Sequence, residues 1–222
     1  MASPSSQPPA DLKARLKASY DVISPAYNAW TVDHSPLRLE YLDKLFALLP
    51  DPADPINVLE LGCGAGVPVT ERLLADPRFH VTANDISTTQ LATAKQHLGS
   101  DRVTWLECDM MALTFSENSF DVVLGFYSLI HLPREEQDVL LERIWTWLKP
   151  GGHILLTFAA EDMEGVVMEK WLADEGWMFW SGWGKDKTLD KVNEVGFEVL
   201  VGEVKREHVD AQFLWVIGKK PA

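Results

Sequence analysis

The stretch Asn57-Val58-Leu59-Glu60-Leu61-Gly62-Cys63-Gly64-Ala65-Gly66 decides the fold of this chain. An apolar run from Ile56 to Leu61, preceded by Pro55, predicts a short buried strand. Glycines at every second position then allow a sharp turn and a close approach of the backbone to a ligand. Residues 67–74 are compatible with a helix that has Pro68 in its first turn. A strand, a glycine turn and a helix together predict a loop that holds a nucleoside-bearing ligand at a helix N-terminus.

The spacing of the glycines distinguishes between the known ligand loops. A dinucleotide fingerprint requires a third glycine at position 67, which is Val67, and a P-loop requires a Gly-Lys-Ser/Thr ending that the sequence lacks. The pattern Glu-x-Gly-x-Gly-x-Gly resembles motif I of the class I S-adenosylmethionine (SAM) dependent methyltransferases. The resemblance implies that Glu60, Gly62, Gly64 and Gly66 bind SAM, with S-adenosylhomocysteine (SAH) as the product. A glycine-rich turn without a ligand is the alternative, and the residues downstream weigh against it.

The composition limits the partners that the protein can have. The 222 residues include 20 Lys and Arg against 33 Asp and Glu, a formal net charge of −13. Such an acidic surface repels phosphate backbones and anionic membranes, so we expect neither a nucleic acid nor a membrane as partner. The first ten residues do not have the pattern of a signal peptide, no apolar run reaches transmembrane length, and two cysteines do not make a disulfide framework. These observations predict a cytoplasmic protein.

A second strand is predicted over residues 79–85, where apolar residues alternate up to Asp85. An acidic residue about 20 positions after a glycine loop can accept hydrogen bonds from the two hydroxyls of a ribose. Ser87 and Gln90 have the spacing of a capping box, which predicts a helix from Thr88. In the resembled family the same acid binds the ribose and the next apolar residue, here Ile86, lies on the adenine. A turn aspartate is the alternative for Asp85.

Further matches to the family follow in the order that its fold requires. The segment from Val103 predicts a third strand that ends near Asp109, and the resemblance implies that Asp109 and Met110 bind the adenine. The sequence Phe-Asp-Val-Val at 120–123 and Ser-Leu-Ile-His-Leu-Pro at 128–133 resembles motif IV, which implies that Phe126 contacts the cofactor. The turn Leu-Lys-Pro-Gly-Gly at 148–152 also resembles the family. The matches cover about residues 56–160. They imply a Rossmann-like α/β fold: a seven-stranded, mostly parallel sheet with helices on both faces and an antiparallel C-terminal strand pair.

The sequence predicts a single domain, 1–222, in five parts. Residues 1–10 form a Ser/Pro-rich tail that we expect to be disordered. Residues 11–50 are predicted to form a helical lid in which Pro25 interrupts the first helix, and residues 56–160 form the cofactor-binding core. Residues 161–184 form an aromatic-rich segment, and residues 185–222 a helix with Gly196 as its C-cap and a strand pair.

The acceptor side of the site is assigned to aromatic residues. The segment around Tyr20 and Tyr27 resembles the leader that covers the cofactor and substrate in many small-molecule methyltransferases, and an ordinary packing helix is the alternative. Tyr127 and His34 are further candidates. Tryptophans in the segment 161–184 predict an apolar lid over the substrate, or alternatively a closed core. The three assigned to the substrate are Trp171, Trp180 and Trp183.

These residues predict transfer of a methyl group from SAM to an O, N or S atom of a small, largely apolar metabolite. Such a displacement requires alignment, and a base only where the acceptor loses a proton early. His131 is the candidate base, with a capping or core histidine as the alternative. No metal site is predicted. The alternative function is a SAM-binding protein that catalyses a cyclisation or acts as a regulatory subunit, and the sequence leaves the oligomeric state open.

Overall fold

A computed structural model of the chain describes residues 3–4, 8–49, 55–99, 101–208 and 211–222. Six helices and ten strands are assigned within those ranges. In chain order they are β1 (Ser3–Pro4), α1 (Leu12–Trp30), α2 (Ser35–Phe46), β2 (Ile56–Leu61), α3 (Val69–Leu74), β3 (Phe79–Asp85), α4 (Thr88–Leu98), β4 (Val103–Glu107), β5 (Phe120–Gly125), α5 (Arg134–Trp147), β6 (Leu148–Ala159), β7 (Asp162–Glu169), β8 (Trp177–Trp183), α6 (Lys185–Val195), β9 (Glu198–His208) and β10 (Ala211–Lys219).

The main sheet has seven strands in the order β4-β3-β2-β5-β6-β10-β9. The pairs from β4 to β6 are parallel, whereas β10 runs antiparallel to both β6 and β9. The two halves of the sheet diverge from β2, so the order reverses beside the glycine loop, where ligands of open α/β sheets bind. This topology confirms the predicted fold class and the antiparallel C-terminal pair.

Each face of the sheet is covered by its own apolar core. On one face Leu59, Val123 and Leu156 pack with α5 and α6. On the other face Val58, Leu124 and Trp215 pack with α2, α3 and Leu91 of α4. Successive side chains of a strand point to opposite faces, so the near-continuous apolar runs of β2, β5 and β6 serve both cores. The glycine loop therefore extends from a strand that is fixed on both sides.

A second, three-stranded sheet in the order β1-β7-β8 was not predicted from the sequence. Strands β7 and β8 form an antiparallel hairpin from the aromatic-rich segment, and β1 pairs with β7 at Val166 and Val167. The side chains of Trp177, Met178 and Phe179 in β8 form a third apolar core with α1. This hairpin and α1 together cover the carboxyl-end edge of the main sheet.

Two predictions for the N-terminal region differ from the structure. Helix α1 continues past Pro25 to Trp30 instead of stopping near Tyr20. Pro25 lies on the exposed side of α1, where solvent can reach the carbonyl that lacks its helical partner. The predicted disordered tail is paired with β7 at Ser3–Pro4, and its residues 1–2 and 5–7 lie outside the described residues.

Candidate functional site

A cavity of about 660 Å³, its open mouth included, lies at the carboxyl ends of the parallel strands. The loops after β2, β3, β4 and β5 form its floor, and α1 forms its roof. Most of the residues that the sequence analysis assigned to a site meet there. They are Tyr20, Tyr27, Gly62, Gly64, Asp85, Ile86, Asp109, Met110, Phe126, Tyr127 and His131.

The three loop glycines are required for three different reasons, although all have positive φ. A Cβ on Gly62 would lie 2.4 Å from the Cβ of Ser128, so this residue lets the loop pack against the segment after β5. A Cβ on Gly64 would meet no protein atom within 4 Å and would project into open space at the cavity. Gly66 packs against Leu98 and does not line the cavity, contrary to its predicted cofactor contact.

Asp85 connects the glycine loop to the start of α4. Its carboxylate accepts hydrogen bonds from the backbone N–H of Gly64 and of Ser87, both at 2.8 Å. Burial raises the pKa of Asp85, and these two N–H donors oppose the shift. Ser87 Oγ accepts from the backbone N–H of Gln90 at 3.1 Å, as the capping box predicts, but Asp85 takes the position at the Ser87 N–H that the Gln90 side chain was expected to fill.

Two buried amide side chains beside Asp85 have polar atoms without a protein partner. Asn84 donates to the carbonyls of Leu106 and Cys108 at 3.1 and 2.8 Å, which fixes the loop after β4, while its Oδ1 has no partner. Gln90 has no partner at either Oε1 or Nε2. Both residues line the cavity. Buried polar atoms are normally satisfied, so these atoms mark the surroundings of Asp85 as a place for a polar ligand.

Glu60 does not reach the cavity, contrary to its predicted cofactor contact. Its side chain is 3% exposed, and its Oε2 accepts a hydrogen bond from Thr70 Oγ1 of α3 at 2.6 Å. Burial raises the pKa of Glu60 to about 8, and the Thr70 hydroxyl opposes that shift. Glu60 therefore supports the glycine loop from beneath, between β2 and α3.

Asp109 and Met110 line the cavity at the end that faces α4 and α5. Asp109 Oδ1 accepts a hydrogen bond from the backbone N–H of Met111 at 3.0 Å, which orients the carboxylate. Lys13 of α1 lies 3.7 Å from the same oxygen and also pairs with Glu136 of α5. Lys13 thus connects α1, which covers the cavity, to the loop after β4 and to α5.

His131 and Tyr20 are hydrogen-bonded to each other and line the same cavity. Nδ1 of His131 lies 2.8 Å from the carbonyl oxygen of Phe179, which can only accept, so Nδ1 carries the proton. Nε2 is then an acceptor, and the Tyr20 hydroxyl donates to it at 2.8 Å. Burial lowers the pKa of His131 to about 4 and raises that of Tyr20 well above its usual value. Both groups are therefore neutral at physiological pH.

Phe126 and Tyr127 line the cavity directly after β5. Tyr127 has a φ of 55°, in the left-handed backbone region that few residues other than glycine adopt. Its N–H donates to Thr157 Oγ1 at 2.6 Å and its hydroxyl donates to Glu207 of β9. Backbone strain of this kind is common at ligand sites, where surrounding contacts hold it in place.

The aromatic residues of the hairpin are only partly brought to the site. Trp171 contacts Tyr20 and Tyr27, with ring centroids 6.5 and 5.9 Å away, and Trp180 lies 6.4 Å from the His131 ring. Both stand behind the lining residues. Trp183 is directed away from the cavity, since its Nε1 donates to Asp138 of α5 at 2.9 Å. Trp183 is not among the residues that line the cavity, so its position gives the predicted substrate contact no support.

Sequence reasoning missed several residues of the cavity. Lys13 and Leu16 belong to the helix that was expected to cover the site, but their orientation depends on the path of α1 past Pro25. Gln90 was assigned to a capping role. Ser128 was quoted only as part of a motif, and its contact with Gly62 is visible only in three dimensions.

A glycine loop after β2, an aspartate at the end of β3 and another after β4 are the arrangement expected of a class I SAM-dependent methyltransferase. Residues 58–152 match the family model described as a methyltransferase domain. The match covers less than half of the chain, and it supports a class I SAM-dependent methyltransferase.

Proteins of related sequence and proteins of related structure are both known. An uncharacterised protein of Rickettsia prowazekii (strain Madrid E) is 28% identical over 153 residues, which is 66% of this chain and 60% of that protein. The Burkholderia thailandensis 1,6-didemethyltoxoflavin-N1-methyltransferase, with bound 1,6-didemethyltoxoflavin and SAH, has a TM-score of 0.72 at 19% identity over 100% of this chain and 95% of that chain. The [4+2]-cyclase SpnF has a TM-score of 0.69 at 19% identity over 95% and 97%. At these identities the structures show a shared fold.

The first curated relatives are longer than the region they share with this chain. The alignments span 60%, 25% and 44% of their own lengths. Within the described ranges, no helix is both long and apolar enough to cross a membrane. The same ranges contain no group of three or more His, Cys, Asp or Glu placed to hold a metal ion.

The residues around Asp85 fit the cofactor of this family. Gly64 leaves space for a ligand against the backbone, Asp85 has a carboxylate for hydroxyl groups, and Gln90 and Asn84 have polar atoms without protein partners. Ile86 and Met110 add apolar surface on which a purine can lie. A nucleoside with a ribose diol matches this set of donors, acceptors and apolar contacts.

Proposed function

We propose that the protein transfers a methyl group from SAM to an O, N or S atom of a small molecule. The observation that carries the proposal is one continuous cavity that joins the nucleoside-binding residues Gly64, Asp85 and Asp109 to the polar pair Tyr20 and His131. The aromatic surroundings of that pair support a largely apolar acceptor. The net charge of −13 supports a small molecule over a nucleic acid.

The cofactor would lie with its ribose at Asp85 and its adenine between Ile86 and Met110, near Asp109. When bound, SAM supplies an electrophilic methyl group on a sulfonium. The chain then has to align the acceptor atom with that methyl group and exclude water. Phe126 and Tyr127 line the same cavity as the nucleoside-binding residues and the polar pair, so they can contribute to this alignment. Alignment of this kind accounts for most of the rate gain in a displacement that needs no activation of the leaving group.

Tyr20 and His131 would handle the proton of an acceptor hydroxyl, amine or thiol. Nε2 of His131 is unprotonated and can accept a proton, either directly or after the Tyr20 hydroxyl passes its own proton on. The low pKa of His131 keeps the ring neutral but makes it a weak base. His131 therefore suits a proton transfer late in the displacement, after the acceptor has become more acidic. Before that step, it orients the Tyr20 hydroxyl.

The fold alone does not separate methyl transfer from the alternative that SAM binds without being consumed. The likeness to a [4+2]-cyclase illustrates this, because that protein has the same fold. The discriminating measurement is turnover of methyl-labelled SAM with small aromatic acceptors that carry a hydroxyl, amine or thiol group, next to calorimetry with SAH. SAH binding together with label transfer supports the proposal. SAH binding without transfer to any acceptor favours the alternative, and the absence of SAH binding contradicts both.

Substitutions at the polar pair test the roles at the acceptor end. Tyr20→Phe and His131→Asn should leave the Kd of SAH within about threefold, because neither residue lies among the nucleoside contacts. The rate of transfer should fall by about 10²-fold or more if the pair handles a proton. Phe179→Leu keeps the backbone carbonyl that orients His131 and serves as the matched control. A full transfer rate in both variants would exclude a role for the pair.

A further inference from the structure

Arg38 of α2 is a buried cation without an acidic partner among the described residues. It is 7% exposed. Its Nη2 donates only to neutral oxygens: the carbonyl and hydroxyl of Thr31 at 2.9 and 3.1 Å, and the hydroxyl of Ser35 at 3.4 Å. Its Nε is buried and has no hydrogen-bond partner. Arg134, which is 8% exposed, shows the usual arrangement, because its guanidinium pairs with Asp162.

An unpaired buried charge is expensive for a folded protein. Arginine is rarely buried without a counter-charge, since desolvation of the guanidinium has to be offset by an anion. The nearby carboxyl groups have other partners. Glu60 lies close enough to Arg38 for the arginine to lower its pKa, but its hydrogen bond goes to Thr70, and burial raises its pKa to about 8, which keeps it protonated at neutral pH. Glu207 accepts from Tyr127 and from Trp215. The missing counter-charge therefore points to a ligand.

The position of Arg38 connects it to the acceptor end of the cavity. Its guanidinium carbon lies 6.0 Å from the centroid of the Tyr127 ring, and Tyr127 lines the cavity. Thr31, which holds Arg38, is the C-cap of α1 and donates its N–H to the carbonyl of Tyr27, another lining residue. Arg38 thus stands one side-chain layer behind the wall that Tyr27 and Tyr127 form.

We propose that Arg38 is the anion subsite of the acceptor, so that the acceptor carries a carboxylate or a phosphate-type group on an otherwise apolar body. The inference rests on the proposed function and specifies its substrate class. A guanidinium binds both kinds of oxyanion in a planar, fork-like geometry, and the free Nε–H provides a donor for it. Arg38 does not itself line the cavity, so the anion would have to pass between the rings of Tyr27 and Tyr127 to reach it. The body of the acceptor then lies near Tyr20 and His131.

The test compares anionic probes with a neutral probe of the same shape. Benzoate, phenylphosphonate and benzamide are titrated into SAH-saturated protein by calorimetry, and benzoate against phenylphosphonate separates the two sources of charge. At least one anion should bind about tenfold or more tightly than benzamide. The negative surface disfavours non-specific anion binding, so such a preference needs a local cation. Equal or weaker binding of both anions overturns the proposal.

Variants locate the preference at Arg38. Arg38→Gln should abolish it, Arg38→Lys should reduce it because the fork is lost, and the matched control Arg72→Gln, at an exposed arginine, should keep it. SAH affinity should be unchanged in all three. If Arg38→Gln does not fold, the Arg38→Lys titration decides. A preference that survives at full strength in the Arg38 variants overturns the proposal. Failure of SAH to bind the wild-type protein instead removes the proposed function, and the anion titration without SAH still tests Arg38.

Discussion

Gly62 and Gly64 are adjacent members of one motif, yet their substitutions should have different consequences. Gly64→Val places a side chain in the open space beside Asp85, so we expect loss of measurable SAH binding with the fold retained. Gly62→Val drives its Cβ into Ser128 at 2.4 Å, so we expect loss of stability. Both variants carry the cost of a positive φ, which is about 1–2 kcal/mol for a residue with a Cβ.

Calorimetry with SAH and chemical denaturation of the two variants measure these effects separately. Because the φ cost is common to both, the difference between their unfolding free energies isolates the contact with Ser128. Equal stability of the two variants would show that the Ser128 contact relaxes without cost. SAH binding by Gly64→Val at the wild-type Kd would exclude the assignment of that space to the cofactor.

Glu60 makes the stability of the protein depend on pH. The usual pKa of glutamate is 4.5, and the folded-state pKa of Glu60 is about 8. Between these values the unfolded chain has released the proton and the folded chain keeps it. Stability therefore falls as the pH rises through this window, by at most about 1.4 kcal/mol per pH unit from this group.

Glu60→Gln should remove that contribution, because the amide keeps an acceptor for Thr70 and does not titrate. The unfolding free energy of the variant, measured against pH by denaturation, should fall less steeply than that of the wild type between pH 4.5 and about 8. Glu142→Gln, on the exposed side of α5, is the matched control. Parallel curves for wild type and Glu60→Gln would show that the carboxyl ionises at its ordinary pKa.

Strand geometry explains why Glu60 was assigned to the wrong place. Its motif position resembles that of a cofactor contact, but alternation along β2 puts Glu60 on the same face as Val58, toward α2 and α3. Asp85 was correctly expected in the cavity because it is the last residue of β3. At a strand end, a side chain can reach the ligand edge of the sheet whichever face it points to. Gln90 could not be recognised, since a capping pattern explained it fully. The sequence is therefore a better guide to which loops lie together than to the direction in which a side chain points.

Among the elements, the β7–β8 hairpin should affect the acceptor and not the cofactor. Trp171→Ala removes a ring that contacts both Tyr20 and Tyr27. The KM for a confirmed acceptor should rise by about tenfold, while the Kd of SAH stays unchanged, because binding to the acceptor is lost in ground and transition states alike. Trp183→Ala, in the same hairpin but directed toward α5, should leave that KM unchanged.

Steady-state kinetics on the two variants decide between a wall of the acceptor site and a structural core. If Trp171→Ala keeps the wild-type KM, or if both variants raise it equally, the hairpin serves only to close the third core. Melting curves recorded in parallel show whether a change in KM accompanies loss of fold. Trp180→Ala, beside His131, extends the comparison to the other end of the hairpin.

The elements of the central sheet were predictable from the sequence, whereas the covering elements were not. Apolar runs that end in glycine locate β2 and β5, which are buried on both faces, and alternation up to Asp85 locates β3. The hairpin residues 177–183 are also buried on both sides, so their pattern does not alternate and does not distinguish a strand from a helix. Pro25 was read as a stop although it lies on a solvent-exposed face, where a helix tolerates it.

At the scale of the whole molecule, the cofactor should stabilise the fold. SAH at about 100 times its Kd adds about 2.7 kcal/mol to the unfolding free energy. For a chain of this size we expect the melting temperature to rise by about 5–10 °C. NAD should give no shift, because Val67 replaces the third glycine of a dinucleotide loop. Differential scanning fluorimetry with Gly64→Val as the non-binding control measures both. A shift with NAD and none with SAH would contradict the family's cofactor assignment for this chain.

The third apolar core has a consequence for how this protein can change over time. Leu12, Leu16 and Ile23 of α1 pack with Trp177 and Phe179 of β8 in a cluster separate from the two sheet cores. Substitutions at distant, unconnected sites usually add their effects on stability. Replacements in this cluster therefore act first on α1 and β8, and they affect the nucleoside side through polar contacts of α1 such as those of Asp21 with Ser87 and Thr89. The architecture is modular as long as these contacts are kept: the acceptor side can diverge toward new chemistry while the nucleoside side stays the same.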